Sequence, residues 1–246
     1  MDGGVERGGK MAEIGAMNPA GSVDWRPHGH RMQLLPQKAL WWPERQILMV
    51  SDLHLAKAEH FRSKGIQIPA TVDFQTLANL TRLLDEFKPQ SLLLLGDLFH
   101  SVPNKAWDEF ARWLKEERAA GLPQAVLVKG NHDRSEDARY EAMGLEVVSQ
   151  WVWDDVVCTH APNDEVPKGR IVHVCGHLHP AAKMRGKGRQ SLRLPCFHQS
   201  STGCDAGTRL VLPAFGAFTG MHAMEPRVGA QVYPIAESSV LGPFKS

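Results

Sequence analysis

Histidines and carboxylates recur in this sequence in short clusters, each directly after an apolar run of strand length. The clusters are Asp52/His54, Asp97, Asn131/His132, His160 and His177/His179. Imidazole nitrogen and carboxylate oxygen together suit a first-row divalent metal better than calcium or magnesium. In extended backbone, residues i and i+2 project to the same side, so Asp52 and His54 are expected to grip one cation with Leu53 turned into the core. Asp52, His54, Asp97, Asn131, His160, His177 and His179 make seven protein groups, too many for a single ion that keeps an open position. Two ions about 3.5–4 Å apart, sharing a carboxylate, is the usual solution for phosphoryl transfer.

Bringing the clusters together needs strands whose carboxyl ends meet, because sites in open α/β sheets form beyond those ends. The pattern supplies them. Strands are expected at Met32 to Leu35, Ala39 to Trp42, Ile47 to Val50, Ser91 to Leu95 and Gln124 to Val128. Helices are expected from Pro69 to Phe87, Pro103 to Ala120 and Ser135 to Met143, with Ser135 as N-cap and Gly121 and Gly144 past two helix ends. From Leu145 the pattern turns to consecutive strands: Leu145 to Val152, Asp155 to Thr159, Arg170 to Val174, Ser191 to Phe197 and Thr208 to Leu212. Alternating strand and helix followed by strands implies an α/β (α+β) fold, two sheets face to face and flanked by helices. Gly96, Gly130 and Gly176 precede three of the clusters and let the backbone turn closely there.

At 246 residues, 43% hydrophobic and 22% charged, the chain has enough apolar content for one full domain. We expect a Gly-rich disordered leader over residues 1–30 and a single domain over 31–246, with no apolar signal segment and no membrane span. Cys158, Cys175, Cys196 and Cys204 lack metal-finger spacing and are expected as free thiols in a reducing, cytoplasmic setting. A net charge of +1 excludes global attraction to nucleic acid, so such binding would need a local patch.

In order, Asp-x-His, Gly-Asp, Gly-Asn-His-Asp, Thr-His and Gly-His-x-His over residues 52–179 resemble the calcineurin-like metallophosphoesterase superfamily. Three further stretches are similar to its ligase-associated DNA-damage-response endonuclease family: Leu-Leu-Pro-x-x-Ala-Leu-x-Trp at 34–42, Asp-Leu-His-Leu-x-Lys-Ala at 52–58, and Leu-Pro-Ala-Phe-Gly-Ala-Phe-Thr-Gly at 212–220. Gly-Asp-Leu-Phe-His at 96–100 also resembles the double-strand-break repair nucleases. The resemblance implies a four-layer α-β-β-α sandwich. It puts Asp52, His54 and His179 on one metal and Asn131, His160 and His177 on the other, with Asp97 bridging. A hydroxide shared by the ions would attack phosphorus in line, and His132 would protonate the leaving oxygen. His132 is expected to stay off Asn131's metal, because neighbours in extended chain point opposite ways. Manganese is the implied metal, with iron, cobalt or zinc admitted by the same donors. DNA, single-stranded or damaged, is the implied substrate, with a ligase, a helicase and an exonuclease of one repair pathway as partners and a homodimer as a further expectation.

The sequence departs from this pattern at two places. His100 stands where many superfamily members carry an acidic residue, and we expect it to position substrate or nucleophile. Met221-His222 follows Gly220, where the family usually has another glycine. Arg134, Lys57 and His60 are expected near substrate phosphates. The stretch Val166 to Cys204 has no acidic residue but holds Lys168, Arg170, Lys183, Arg185, Lys187, Arg189 and Arg193, read either as a solvated hairpin or as a phosphate contact. Trp151 and Trp153 share a strand face, suited to packing or to base stacking. Two other readings stay open on the residues alone: a nucleotide or cyclic-nucleotide phosphoesterase, and a non-catalytic metal-binding scaffold.

Overall fold

The computed structural model of the chain describes residues 19–57, 72–100, 103–166, 168–185, 191–202, 207–224 and 228–245. One sheet has seven strands in chain order. They are β1 (Val23–Trp25), β2 (Met32–Leu35), β3 (Ala39–Trp42), β4 (Ile47–Val50), β5 (Ser91–Leu95), β6 (Gln124–Val128) and β7 (Glu146–Val148). β1 to β4 pair antiparallel, and β4 to β7 pair parallel.

The second sheet is built from β8 (Trp151–Trp153), β9 (Val156–Cys158), β10 (Val172–Cys175), β11 (Pro180–Arg185), β12 (Ser191–Ser201), β13 (Thr208–Val211) and β14 (His222–Ala223). Its order is β14-β11-β12-β13-β10-β9-β8, with β9, β10 and β13 parallel. β15 (Gln231–Ala236) pairs with β12 and holds the short β16 (Ser239–Val240) and β17 (Phe244–Lys245).

Period-two alternation explains why β4, β5 and β6 read as unbroken apolar runs. Leu48, Val50, Leu92, Leu94, Ala125 and Leu127 join one core with the helices α1 (Val72–Phe87), α2 (Lys105–Ala120) and α3 (Asp137–Ala142). Ile47, Met49, Leu93, Leu95, Val126 and Val128 join a second core with Val156, Val172, Val174, Phe197 and Leu210 of the other sheet. The layers are therefore helices, sheet, sheet. Among the described residues, no helix covers the outer face of the second sheet. None is long and apolar enough to cross a membrane.

Leu77, Leu80, Leu84 and Phe87 of α1 pack on the first core as their spacing predicts, joined by Leu83. Asn104 caps α2, accepting a hydrogen bond from the Ala106 N–H at 3.0 Å, and Gly121 ends it with φ +117°. Three expectations need correction. Of the leader expected over residues 1–30, residues 23–30 belong to the fold. β1 pairs with β2, Trp25 is buried, and His30 sits 2.6 Å from Asp155 of the other sheet. Ser135 does not cap α3, whose N-cap is Glu136 without a side-chain bond. The strand expected from Leu145 to Val152 is two strands in different sheets, because Ser149 and Gln150 carry the chain across.

Phe197 is fully buried between the sheets. Phe197→Ala is expected to lower stability by about 3–5 kcal/mol, measured as a shift in the urea midpoint.

Candidate metal centre

The carboxyl ends of β4, β5 and β6 in one sheet, and of β9 and β10 in the other, open onto the same place. The five clusters follow these strands and meet there. Asp52, His54 and His179 offer ligand atoms that lie within 4.8 Å of one another, and so do Asp97, His160 and His177. Asp97 stands between the groups, with Oδ1 3.4 Å from His160 Nε2 and Oδ2 3.8 Å from His54 Nε2. Asn131 Oδ1 lies 3.0 Å from His160 Nε2.

Proton bookkeeping shows what these atoms need. His160 Nδ1 faces the Leu95 carbonyl at 3.0 Å, so it must carry the ring proton and donate it. That leaves His160 Nε2 directed into the centre, where it faces Asn131 Oδ1 at 3.0 Å, His177 Nδ1 at 3.1 Å and Asp97 Oδ1 at 3.4 Å. In the other group His54 Nε2 and His179 Nε2 lie 3.3 Å apart, and His179 Nε2 is 3.2 Å from Asp52 Oδ1. Nitrogen and oxygen atoms converging at these distances form a donor set that fits a pair of divalent ions.

Burial reinforces that fit. Burial acts to raise the Asp52 carboxyl, but the imidazoles of His179, His160 and His54 outweigh it and hold the group below the usual carboxylate range. Burial pushes His54 down to about 3 against the pull of Asp52, which keeps its ring neutral and available as a ligand.

Local geometry differs from the expected extended chain. Asp52 and His54 have φ of +54° and +47°, in the left-handed region. Leu53 is turned into the core as expected, 2% exposed. Asp97, His177 and His179 share the left-handed conformation, with φ of +50°, +71° and +47°. A hydrogen-bond ladder beyond β4 and β5 holds these turns. The Asp52 N–H donates to Gly96 O (3.2 Å), the His54 N–H to Asp97 O (3.0 Å) and the His100 N–H to Leu55 O (2.9 Å). The 212–220 stretch braces the same segment from behind, with the Phe215 N–H on Ser51 O (2.8 Å) and the Gly216 N–H on Asp52 O (3.2 Å). At Met221-His222 no ligand is displaced, and the His222 N–H bonds His179 O at 2.9 Å. Several glycines here are required by contact, Gly96 among them, where a Cβ would lie 2.2 Å from His160 Nδ1. A Cβ on Gly130 would lie 2.4 Å from Asp97 Oδ1, and one on Gly176 would lie 2.5 Å from Asp52 Oδ2.

His132 lies in a turn closed by the Asp133 N–H on Gly130 O, not in extended chain. Its N–H donates to Asp97 Oδ1 at 2.9 Å, and its exposed ring places Nε2 4.0 Å from Asp97 Oδ2. His100 stacks on His132 with centroids 5.0 Å apart and meets His54 edge-on at 5.5 Å. Lys57 is half-buried. Burial lowers its ammonium while Asp52 and Asp97 pull it up. Arg134 is exposed and bonds the Asn131 carbonyl at 3.1 Å. His60, Lys187 and Arg189 lie outside the described residues. Lys168 and Arg170 precede β10 and so sit at the end of the sheet away from the metal centre.

Trp151 packs on the inter-sheet core, while Trp153 at the β8 edge is covered by the Arg45 guanidinium, 4.8 Å from its ring centroid. Cys158, Cys175 and Cys196 are free buried thiols, all pushed up by burial, Cys196 to about 12.

Two supports escaped the sequence reading. Asp133 is buried and accepts the Leu98 N–H at 3.1 Å and the Gly130 N–H at 2.9 Å, tying the β5 and β6 turns together. His173, to which no role was assigned, accepts from Arg209 Nε at Nδ1 (3.1 Å) and donates from Nε2 to Thr159 Oγ1 (2.8 Å). Thr159 then donates to Ala161 O (2.9 Å), so this relay sets the turn that carries His160. A lone histidine in an apolar strand gives no signal of this.

The geometry defines a metal-dependent phosphoesterase. Residues 45–200 match the family model for calcineurin-like phosphoesterases, and the chain belongs to that family. It is similar to the crystal structure of Pseudomonas putida nuclease MPE, with 32% identity and a TM-score of 0.70 over 89% of this chain and 100% of that one. It is also similar to Yfce, a phosphoesterase from E. coli, at 15% identity and a TM-score of 0.42 over 80% of this chain and 96% of that one. No curated protein matches.

Gly176→Ala is expected to weaken metal binding at least tenfold, because the new Cβ displaces the Asp52 carboxylate; titration calorimetry with manganese measures it. Stability of metal-free protein is expected to fall as pH drops from about 6.5 towards 4. His54 (about 3) and His173 (about 4) stay neutral when folded but take protons when unfolded. Asp133, raised mainly by burial to about 6, opposes them below that pH, over most of the window. Urea midpoints in chelator across this range test the sign.

Proposed function

We propose that this phosphoesterase is a manganese-dependent nuclease that hydrolyses phosphodiester bonds in DNA during repair. The observation that supports it most is the openness of the centre. The ligands Asp52, His54, Asp97 and His160 are buried, while Asn131, His132 and His177 stand exposed on the rim. Such a rim accepts a chain passing across it, as a closed pocket for a small nucleotide would not. The likeness to a nuclease at 32% identity favours the same reading.

Asp52, His54 and His179 would hold one ion and Asn131, His160 and His177 the other, with one oxygen of Asp97 turned to each. When bound, the ions supply a nucleophile from water at neutral pH and neutralise charge on the phosphoryl oxygens. The chain's own groups do the rest. His132, held by its N–H on Asp97, carries the proton for the leaving oxygen at Nε2. His100 stacks on that ring and fixes its plane. Lys57 and Arg134 flank the centre as cations for non-reacting phosphoryl oxygens. Three buried free thiols fit a reducing, cytoplasmic setting. A ligase, a helicase and an exonuclease of the same pathway are the proposed partners, and a homodimer the proposed assembly.

His132→Ala is expected to lower kcat on DNA by about 10²–10⁴-fold. It should lose far less on a phosphodiester with a nitrophenolate leaving group and should retain two metals per chain. Equal losses on both substrates would remove the proton-donor role. The substrate reading is tested on single-stranded DNA, cyclic nucleotides and a chromogenic diester with manganese; intact DNA beside a consumed nucleotide overturns it.

A further inference from the structure

β11 begins one residue after His179, and its course relative to the metal centre follows from the pairing. β12 is antiparallel to both β11 and β13, and β13 is parallel to β10, so β11 runs in the direction of β10. Val211 pairs with Cys175, the last residue of β10, and with His198 of β12. The part of β12 before His198 therefore extends past the carboxyl end of β10, the end that carries His177 and His179. β15 accompanies β12 only to Cys196, and β14 accompanies β11 only to Ala181. Beyond them, among the described residues, Ala182 to Arg185 and Ser191 to Leu194 pair only with each other, as a two-stranded ribbon standing beside the centre.

On this ribbon Lys183 lies directly opposite Arg193, and both are exposed. Like charges facing each other across two strands are destabilising. Among the described residues, no salt bridge to a carboxylate relieves this pair, and the sequence from Val166 to Cys204 has no acid to offer. Met184 and Leu192, also paired, are 37% and 59% exposed. A paired-cation ribbon rising from a phosphoester-cleaving centre has the chemistry to hold a polyanion.

We propose that the β11–β12 ribbon is the track for the substrate's phosphodiester backbone, with Lys183 and Arg193 gripping phosphates distant from the scissile bond. This rests on the reading of the enzyme as a polynucleotide hydrolase. The strand places Lys183 ~13 Å from His179, four residues at ~3.3 Å each. That is beyond the reach of the single phosphodiester of a dinucleotide held at the metals. The ribbon therefore sets a length preference: short substrates do not reach it.

The test compares full-length wild-type protein and K183S/R193S, both loaded with manganese. The substrates are a dinucleotide, a single strand of about 20 nucleotides and a chromogenic phosphodiester, at two salt concentrations. The kcat/KM ratio of long strand to chromogen is expected to fall at least tenfold in the variant, with the dinucleotide ratio unchanged. The salt slope on the long strand should flatten by about 0.7 per lost phosphate contact. K183R/R193K is expected to restore both. An unchanged long-strand ratio and slope overturns the ribbon's role, as does an equal fall on all three substrates. A wild-type enzyme that consumes the chromogen and leaves every oligonucleotide intact instead removes the polynucleotide reading, and the ribbon proposal with it.

Discussion

The structure depends on one electrostatic constraint, the crowding of carboxylate, amide and imidazole groups around Asp97. His160 has spent its proton on the Leu95 carbonyl. Its Nε2 faces an amide oxygen, a second imidazole nitrogen and a carboxylate oxygen, none more than 3.4 Å away. Protons or metal cations among the lone pairs are what hold such a cluster together. The rest of the fold can be understood as the apparatus that keeps these atoms in place.

Part of that apparatus is backbone strain. Five ligands, Asp52, His54, Asp97, His177 and His179, adopt left-handed φ, a conformation that costs about 1–3 kcal/mol for a residue with a side chain. Strain of this kind persists only where surroundings over-determine it. Here the ladder between the 52–55 and 96–100 segments, the brace from Phe215 and Gly216, and the closeness of Gly130 and Gly176 to the carboxylates do so. Relaxing any one ligand to ordinary geometry would break hydrogen bonds on both sides of it.

Strands and ligands were legible in the sequence for the same reason. Ile47–Val50, Ser91–Leu95 and Gln124–Val128 lie at the centre of a sheet covered on both faces, so their whole length is apolar, and a polar residue at the end is conspicuous. Edge elements have no such contrast. β1 carries Val-Asp-Trp, half polar because one side of it meets water, and so residues 23–30 passed for leader. The i, i+2 argument brought Asp52 and His54 together through the wrong backbone, since spacing reports that they share a side but not the φ that puts them there. The His173 relay was invisible because its partners, Thr159 and Arg209, are distant in sequence and are brought together only by the pairing of β9, β10 and β13.

Each half of the centre draws on both sheets. Asp52 and His54 follow a strand of the first sheet, and their companion His179 follows one of the second. Asp97 and Asn131 belong to the first sheet, His160 and His177 to the second. Cations between them therefore do more than chemistry, because they add a junction to two layers already joined by apolar packing and by polar contacts such as His30 with Asp155 and Trp25 with Gln199. The binding free energy of such ions adds to the stability of the sandwich, since the unfolded chain has no comparable site. The fold does not present a finished pocket to its metals. It brings two half-sites within ligand distance and relies on the ions to close the seam, so the reaction centre and the structural junction between the sheets are the same set of atoms.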